Sequence, residues 1–332
     1  IGSRNTLLEL QGLALFLVVS CALVTHCIAA DYYIDSVDGS DNNDGLSILK
    51  PWKSHMKAES ASLAAGDVVH FKKGSAFSGN ILISESGTAA KPIRLTSYGT
   101  GELPMFTNPT TRDASGNAIT LGGDYIIVEN LHFHDTPGEH VSGKIIMTRL
   151  AALRIEHGSD HCIIRNNKFI KTGQGIMSAG EHTLITENYL DGPNYALWRT
   201  SKSSWGPMGI HLNIGNQEVS YNTIKNFGTK DSPWGSDGGA IEIDCGKYHK
   251  KNIYIHHNYS RLVVVVRCSG SLGSLGSLGS LKSSLPWPMS ALVLAVSLSC
   301  ELSSCRKLGG FFSDGAGASK LTTTATSKLL TW

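Results

Sequence analysis

Net charge is nearly absent from this chain: 29 Lys and Arg stand against 27 Asp and Glu, a balance of +2 over 332 residues, with no long basic run. A nucleic-acid partner needs a basic stripe or patch, so none is expected. Cysteine is sparse and badly spaced. Of the seven, Cys21 and Cys27 lie near the N-terminus, and Cys162, Cys245, Cys268, Cys300 and Cys305 form neither a disulfide framework nor a zinc pattern. Long hydrophobic runs are missing too. Leu13–Val24 and Ser290–Val296 are both too short to span a bilayer, so no stable membrane span is expected. The former follows Arg4 and ends at Ile28-Ala-Ala30 before Asp31, the pattern of a secretory signal whose initiating Met is absent from the sequence. Residues 1–30 are therefore read as a signal peptide, and the mature protein is expected outside the cell.

Helical periodicity is lacking through the middle of the chain, where a short phrase recurs instead: apolar, x, apolar, one or two polar residues, Asn, x, apolar. It reads Ile164-Arg-Asn-Asn167-Lys-Phe169, Ile185-Thr-Glu-Asn188-Tyr-Leu190, Val219-Ser-Tyr-Asn222-Thr-Ile224 and Ile255-His-His-Asn258-Tyr-Ser260, with an offset forerunner at Ile127-Val-Glu-Asn130-Leu-His-Phe133. The Asn-to-Asn steps are 21, 34 and 36 residues, so a minimal unit of about 21 is kept while one connection varies in length. Each unit holds short runs of period two, which are strands rather than helices. Such units stack as a solenoid. The fold class expected is all-β, a right-handed parallel β-helix over residues 31–260 with a short N-terminal capping helix, and the protein is expected to be a monomer. Asn167, Asn188, Asn222 and Asn258 are assigned to a structural ladder at the bend between strands, where Asn tolerates left-handed backbone and its amide bonds the next coil. Asn258-Tyr-Ser260 is also a glycosylation sequon, discounted because a ladder Asn points into the stack.

Composition changes abruptly after Ser260. Leu262-Val-Val-Val-Val266 leads into Gly-Ser-Leu repeats, and positions 262–332 contain no Asn, His, Tyr, Ile or Gln. Residues 261–332 are read as a low-complexity tail or the product of a shifted reading frame, outside the coil stack.

Alignment on the ladder Asn sets Ile155, Ile176, Ile210 and Ile241 in one inward column. Alternation then turns Glu156, Met177, His211 and Glu242 outward, followed two residues later by Gly158, Ala179, Asn213 and Asp244. Coils stack about 4.8 Å apart and residues i and i+2 lie about 6.6 Å apart, so His211, Asn213, Glu242 and Asp244 form one outward cluster. Two carboxylates and an amide are the hard oxygen donors calcium prefers. Long connections lead into these strands. Asp191–Met208 carries Trp198, Arg199, Lys202 and Trp205, and Asn226–Gly239 carries Lys230, Trp234 and Asp237. Aromatic rings beside cations suit an acidic sugar, with Trp198, Arg199, Trp205 and Trp234 as substrate-binding candidates. The Asp-rich turn Gly39–Gly45 fits a calcium loop poorly, with Ser40 where the first ligand belongs, and reads as a structural turn.

The segment Asp31 to about Phe106 resembles the N-terminal region of secreted β-helix proteins of the pectate-lyase-like superfamily. The matching residues are Tyr32-Tyr-Ile-Asp, Gly39-Ser-Asp-Asn-Asn-Asp-Gly45-Leu-Ser, Lys50-Pro-Trp-Lys53, Ala65-Gly-Asp-Val-Val-His-Phe71 and Ser86-Gly-Thr-Ala-Ala-Lys-Pro-Ile93. With the coils at 118–260 the resemblance covers roughly 230 residues. It implies the fold and a helix over Ser54–Ala65 capping the open end, and it leaves the reaction open, since the fold hosts many activities. The outward cluster is similar to that of calcium-dependent alginate and chondroitinase-B-type lyases, which use an acid-x-acid pair, an Asn from the preceding coil, a downstream Lys and an Arg from the next coil. Glu242-Ile-Asp244, Asn213 and Lys247 or Lys250 lie on that pattern, with His211 or either Lys as the base. Asp244 is shorter than the family's Glu, the Lys spacing differs, and the next coil's Arg is missing.

The expectation is a polysaccharide lyase acting on acidic glycans by β-elimination with calcium. A non-catalytic carbohydrate-binding β-helix and a glycoside hydrolase stay open as alternatives. The Asn-Thr-Asp and Gly-His-Gly signatures of polygalacturonases are absent.

Overall fold

The computed structural model describes residues 29–108, 117–134, 151–192, 207–228, 238–243 and 249–260. It also gives the backbone of residue 244 and of short strands at 139–141, 144–146, 197–199, 203–205, 229–232, 235–237, 264–267 and 294–298. The chain winds through three sheets whose strands pair almost entirely in parallel. The first sheet runs from Asp31–Ile34 through Val68–Lys72, Ile93–Tyr98, Ile126–Glu129, Ile163–Arg165, Thr183–Thr186 and Gln217–Ser220 to Lys250–His256. The second begins at Ala76–Ser78 and ends at Tyr259–Ser260, and the third begins at Ile81–Ile83 and reaches Gly239–Asp244. Each coil visits the three in that order, and parallel crossovers wind right-handed.

Period-two patterning produces the core. Val69, Leu95, Val128, Ile164, Ile185, Val219 and Ile255 stand in register on the first sheet, all at most 5% exposed. Phe77, Phe106, Phe133 and Phe169 form a ring ladder on the second, with Phe133 and Phe169 stacked at 4.6 Å. The third sheet corrects one expectation. Its inward column is Ile81, Ile119, Leu153, Ile176, Ile210 and Ile241, whereas Ile155 belongs to the next inward column with Leu121, Ser178, Leu212 and Ile243. Nine residues separate Ile176 from Ile185 and Ile210 from Val219, but eleven separate Leu153 from Ile164. The extra pair sits in the turn around Gly158, whose φ is +85°.

The Asn ladder forms. Asn167 Nδ2 donates to Asn188 Oδ1 at 3.2 Å, Asn188 Nδ2 to Asn222 Oδ1 at 3.0 Å, and Asn222 Nδ2 to Asn258 Oδ1 at 2.9 Å. Left-handed backbone, however, falls on the residue before each ladder Asn: Asn166, Glu187, Tyr221 and His257 have φ between 53° and 57°. That explains the offset forerunner. Asn130 occupies the left-handed position at φ 58°, and Leu131 the ladder position, its N–H donating to Asn167 Oδ1.

The open end is capped by a helix shorter than expected, Met56–Ser60. Ala58 is buried, and the Glu59 carboxylate accepts the N–H of Leu82 on the edge strand of the third sheet at 3.2 Å. The Gly39–Gly45 turn is structural. Asp41 accepts the N–H groups of Lys53 and Ser54, Trp52 Nε1 donates to the Asn43 carbonyl, and the Trp52 ring lies 2.4 Å from where a Cβ on Gly45 would stand.

Among the connections the structure gives, three from the second sheet to the third carry inserted hairpins. Hairpins Glu139–Val141/Lys144–Ile146 and Leu197–Arg199/Ser203–Trp205 join into one four-stranded sheet through Ile145 opposite Leu197 and Ile146 opposite Trp198. A third hairpin pairs Thr229–Ser232 with Gly235–Asp237. Beyond position 260, Val264–Arg267 adds one parallel strand to the third sheet and Leu294–Leu298 one antiparallel strand to the first. Among the described residues no helix is long and apolar enough to cross a membrane, and residues 1–28 lie outside them.

Candidate functional site

Each of the three insertion hairpins leads directly into a strand of the third sheet. Along the outward face of that sheet Arg154, Met177, His211 and Glu242 are successive register partners, so they form one column parallel to the solenoid axis. Two residues on, backbone bonds from Ala179 N to Ile155 O and from Asn213 N to Ser178 O set Glu156, Ala179 and Asn213 in the adjacent column. Asp244 follows Ile243, the partner of Leu212, and so takes the next place. His211, Asn213, Glu242 and the backbone of Asp244 are therefore brought together on two neighbouring coils, and Asp244 faces Arg267 across the added strand.

Burial sets this group apart from a solvated strand face. His211 is 6% and Glu242 8% exposed although both point away from the core. A carboxylate is withdrawn from water only at a cost that partners must offset, which marks the position as specialised.

Arg154, which the sequence alignment missed, lies on this face beside Glu156. The guanidinium grips the carboxylate in two bonds, Nε to Oε1 at 2.8 Å and the second nitrogen to Oε2 at 2.9 Å. The two-residue shift at Ile155 hid Arg154, since it moved Glu156 into the His211 column. The signal was present in Leu153, the apolar residue that continues the true column.

Lys250 does not belong to this face. It opens a first-sheet strand and is 4% exposed. Lys247 and Trp234 lie outside the described residues, as do the side chains of Trp198, Arg199, Trp205 and Asp244. Trp198 and Arg199 occupy one strand of an insertion hairpin and Trp205 the other. Among the described residues no group of three or more His, Cys, Asp or Glu is placed to hold a metal. The oxygen donors available near Glu242 are its carboxylate and the Asn213 amide, a set of the right hardness for calcium that the Asp244 position extends. Cys162 is buried with its thiol pushed up to about 12 by burial, as befits an inert core residue.

No family model matches the chain, and no curated protein matches it. Among solved structures it is similar to a GH136 lacto-N-biosidase from Eubacterium ramulus, at 15% identity and TM-score 0.45, covering 70% of this chain and 56% of that one. The chain thus spans little more than half the length of that enzyme. It is also similar to an alginate lyase from Paenibacillus, at 12% identity and TM-score 0.38 over 62% of this chain and 72% of that one, and to a pectate lyase, at 13% and 0.38 over 75% and 80%. Three parallel sheets, a continuous Asn ladder and a capped first coil make the chain a right-handed parallel β-helix protein.

Proposed function

We propose that the outward face of the third sheet binds an acidic, uronate-containing polysaccharide outside the cell and cleaves it by β-elimination. The observation that carries this reading is the register pairing of His211 with Glu242, an imidazole and a carboxylate side by side and both withdrawn from water. Elimination needs a neutralised substrate carboxylate, a base for the acidified C–H and a proton for the leaving oxygen. Glu242, Asp244 and Asn213 would hold calcium, which supplies the charge neutralisation when bound. His211 takes the proton from the carbon next to the substrate carboxylate. As that C–H bond breaks, a C=C bond forms, the glycosidic C–O bond breaks, and the leaving oxygen takes a proton from solvent. With Lys250 on a strand of the first sheet, His211 is the base on this face. Trp198, Trp205 and Trp234 would stack on sugar rings and Arg199 would pair a further carboxylate.

Alginate, polygalacturonate and dermatan-type polymers incubated with the full chain, with and without chelator, test the reading. Elimination gives absorbance at roughly 235 nm from the unsaturated uronate that chelation removes. Glu242→Gln should cut the rate at least about a hundredfold while the circular dichroism is unchanged. New reducing ends without that absorbance would instead indicate hydrolysis, and retention of polymer without any product a binding module.

A further inference from the structure

The outer face of the second sheet carries a shallow groove of about 550 Å³, away from His211 and Glu242. It crosses two neighbouring coils, and Asn166, Lys168, Ile170, Glu187 and Tyr189 border it. Lys168 and Tyr189 are register partners, so the amine and the phenol ring stand one coil apart on a rigid sheet.

Tyr189 is held firmly. Its hydroxyl donates to Asp191 Oδ2 at 3.1 Å, Asp191 Oδ1 accepts from Asn226 Nδ2 at 2.7 Å, and Lys225 Nζ lies 5.3 Å from the ring centroid. Asn166 and Glu187 occupy the left-handed corner positions, at φ 54° and 57°, which leave their side chains exposed at the rim. Neither they nor Lys168 make a side-chain hydrogen bond or ion pair with another described residue. His132, the register partner of Lys168 on the preceding coil, carries no negative charge in either protonation state and is no counter-ion for it.

A fixed aromatic ring ringed by uncommitted donors and acceptors suits a ligand with one apolar face and a hydroxyl-rich edge. The Lys168 ammonium, which no described residue pairs, adds a preference for negative charge. We propose that this groove binds one residue of an acidic glycan: the sugar's C–H face on Tyr189, its carboxylate on Lys168, its hydroxyls on Asn166 and Glu187. The inference rests on the acidic-polysaccharide reading and extends it, because a second site on another sheet would raise retention on a long polymer without a new catalytic contact.

Lysine acetylation of the full chain, followed by mass spectrometry, reads the groove directly. A hexagalacturonate or hexaguluronate should slow modification of Lys168 roughly threefold to tenfold, and cellohexaose should not. Tyr189→Ala should abolish that protection, whereas Tyr189→Phe keeps the ring and should retain it. An unchanged Lys168 rate at saturating hexauronate, or protection that survives Tyr189→Ala in a folded protein, would overturn the proposal. Elimination is scored separately by absorbance. Protection of Lys168 in a protein that cleaves nothing would support the groove and count only against the lyase reading.

Discussion

Asn188 accepts from both the backbone and the side-chain amide of Asn167, and donates to the Ile164 carbonyl and to Asn222. Replacing it with Ala strands buried polar groups on two coils where water cannot follow. The expected loss is about 2–4 kcal/mol, read from urea unfolding, and Asn188→Leu should not rescue it. A second residue-level expectation concerns pH. Burial, the Lys168 charge and the His134 ring hold His132 down to about 4 from its ordinary 6.5. Between those values the unfolded chain binds a proton that the folded one does not. Stability therefore falls as pH drops from 6.5 towards about 4 and levels off below. Because the ring is partly exposed, solvent screening should hold the effect to roughly 1–2 kcal/mol. His132→Gln should flatten the unfolding free energy across that window. The ladder was legible because Asn stands at a fixed place in every phrase. The left-handed position beside it was not: Asn166, Glu187, Tyr221 and His257 share a backbone angle and no side-chain chemistry.

At the level of elements, the cap works through one charge-assisted bond and one buried methyl. Glu59→Ala frees the Leu82 N–H on the edge strand and should cost about 1 kcal/mol. A larger signal is expected in light scattering on warming, since an uncovered parallel edge is a template for other chains. Strand order and inward faces could be read from alternation alone. Register on the third sheet could not, because it depends on the length of the turn into the first sheet, and the turn after Ile155 is two residues longer than those after Ser178 and Leu212. The helix over Ser54–Ala65 shrinks to Met56–Ser60 for a related reason. Leu63 is buried and Asp67 accepts the Ala64 N–H, so the chain turns down into the stack early.

For the whole molecule, the outward columns follow the solenoid axis, and a polymer bound to them must do the same. Arg154 and Glu242 are three coil steps apart, about 14 Å at the usual strand spacing. Arg154→Ala should therefore raise KM roughly fivefold to tenfold on long uronate chains and leave kcat and short oligomers nearly unaffected, as steady-state kinetics on size-fractionated substrate would show. What sequence reading could reach at this scale was the cluster of His211, Asn213, Glu242 and Asp244. It could not reach Arg154, which the two-residue shift at Ile155 hid from the His211 column.

The hairpins at 139–146 and 197–205 meet across a coil that has no insertion of its own. Between Ile170 and Gln174 that coil has only Lys171, Thr172 and Gly173. Surface connections in repeat proteins ordinarily accept added residues at little cost. Here brevity is itself a requirement: extra residues after Lys171 would rise between the two hairpins like a wedge under a lintel. A three-residue insertion there, just ahead of the fully buried Thr172, should lower thermal stability and bring protease nicks near positions 146 and 197, making the plainest loop of the solenoid the least free to drift.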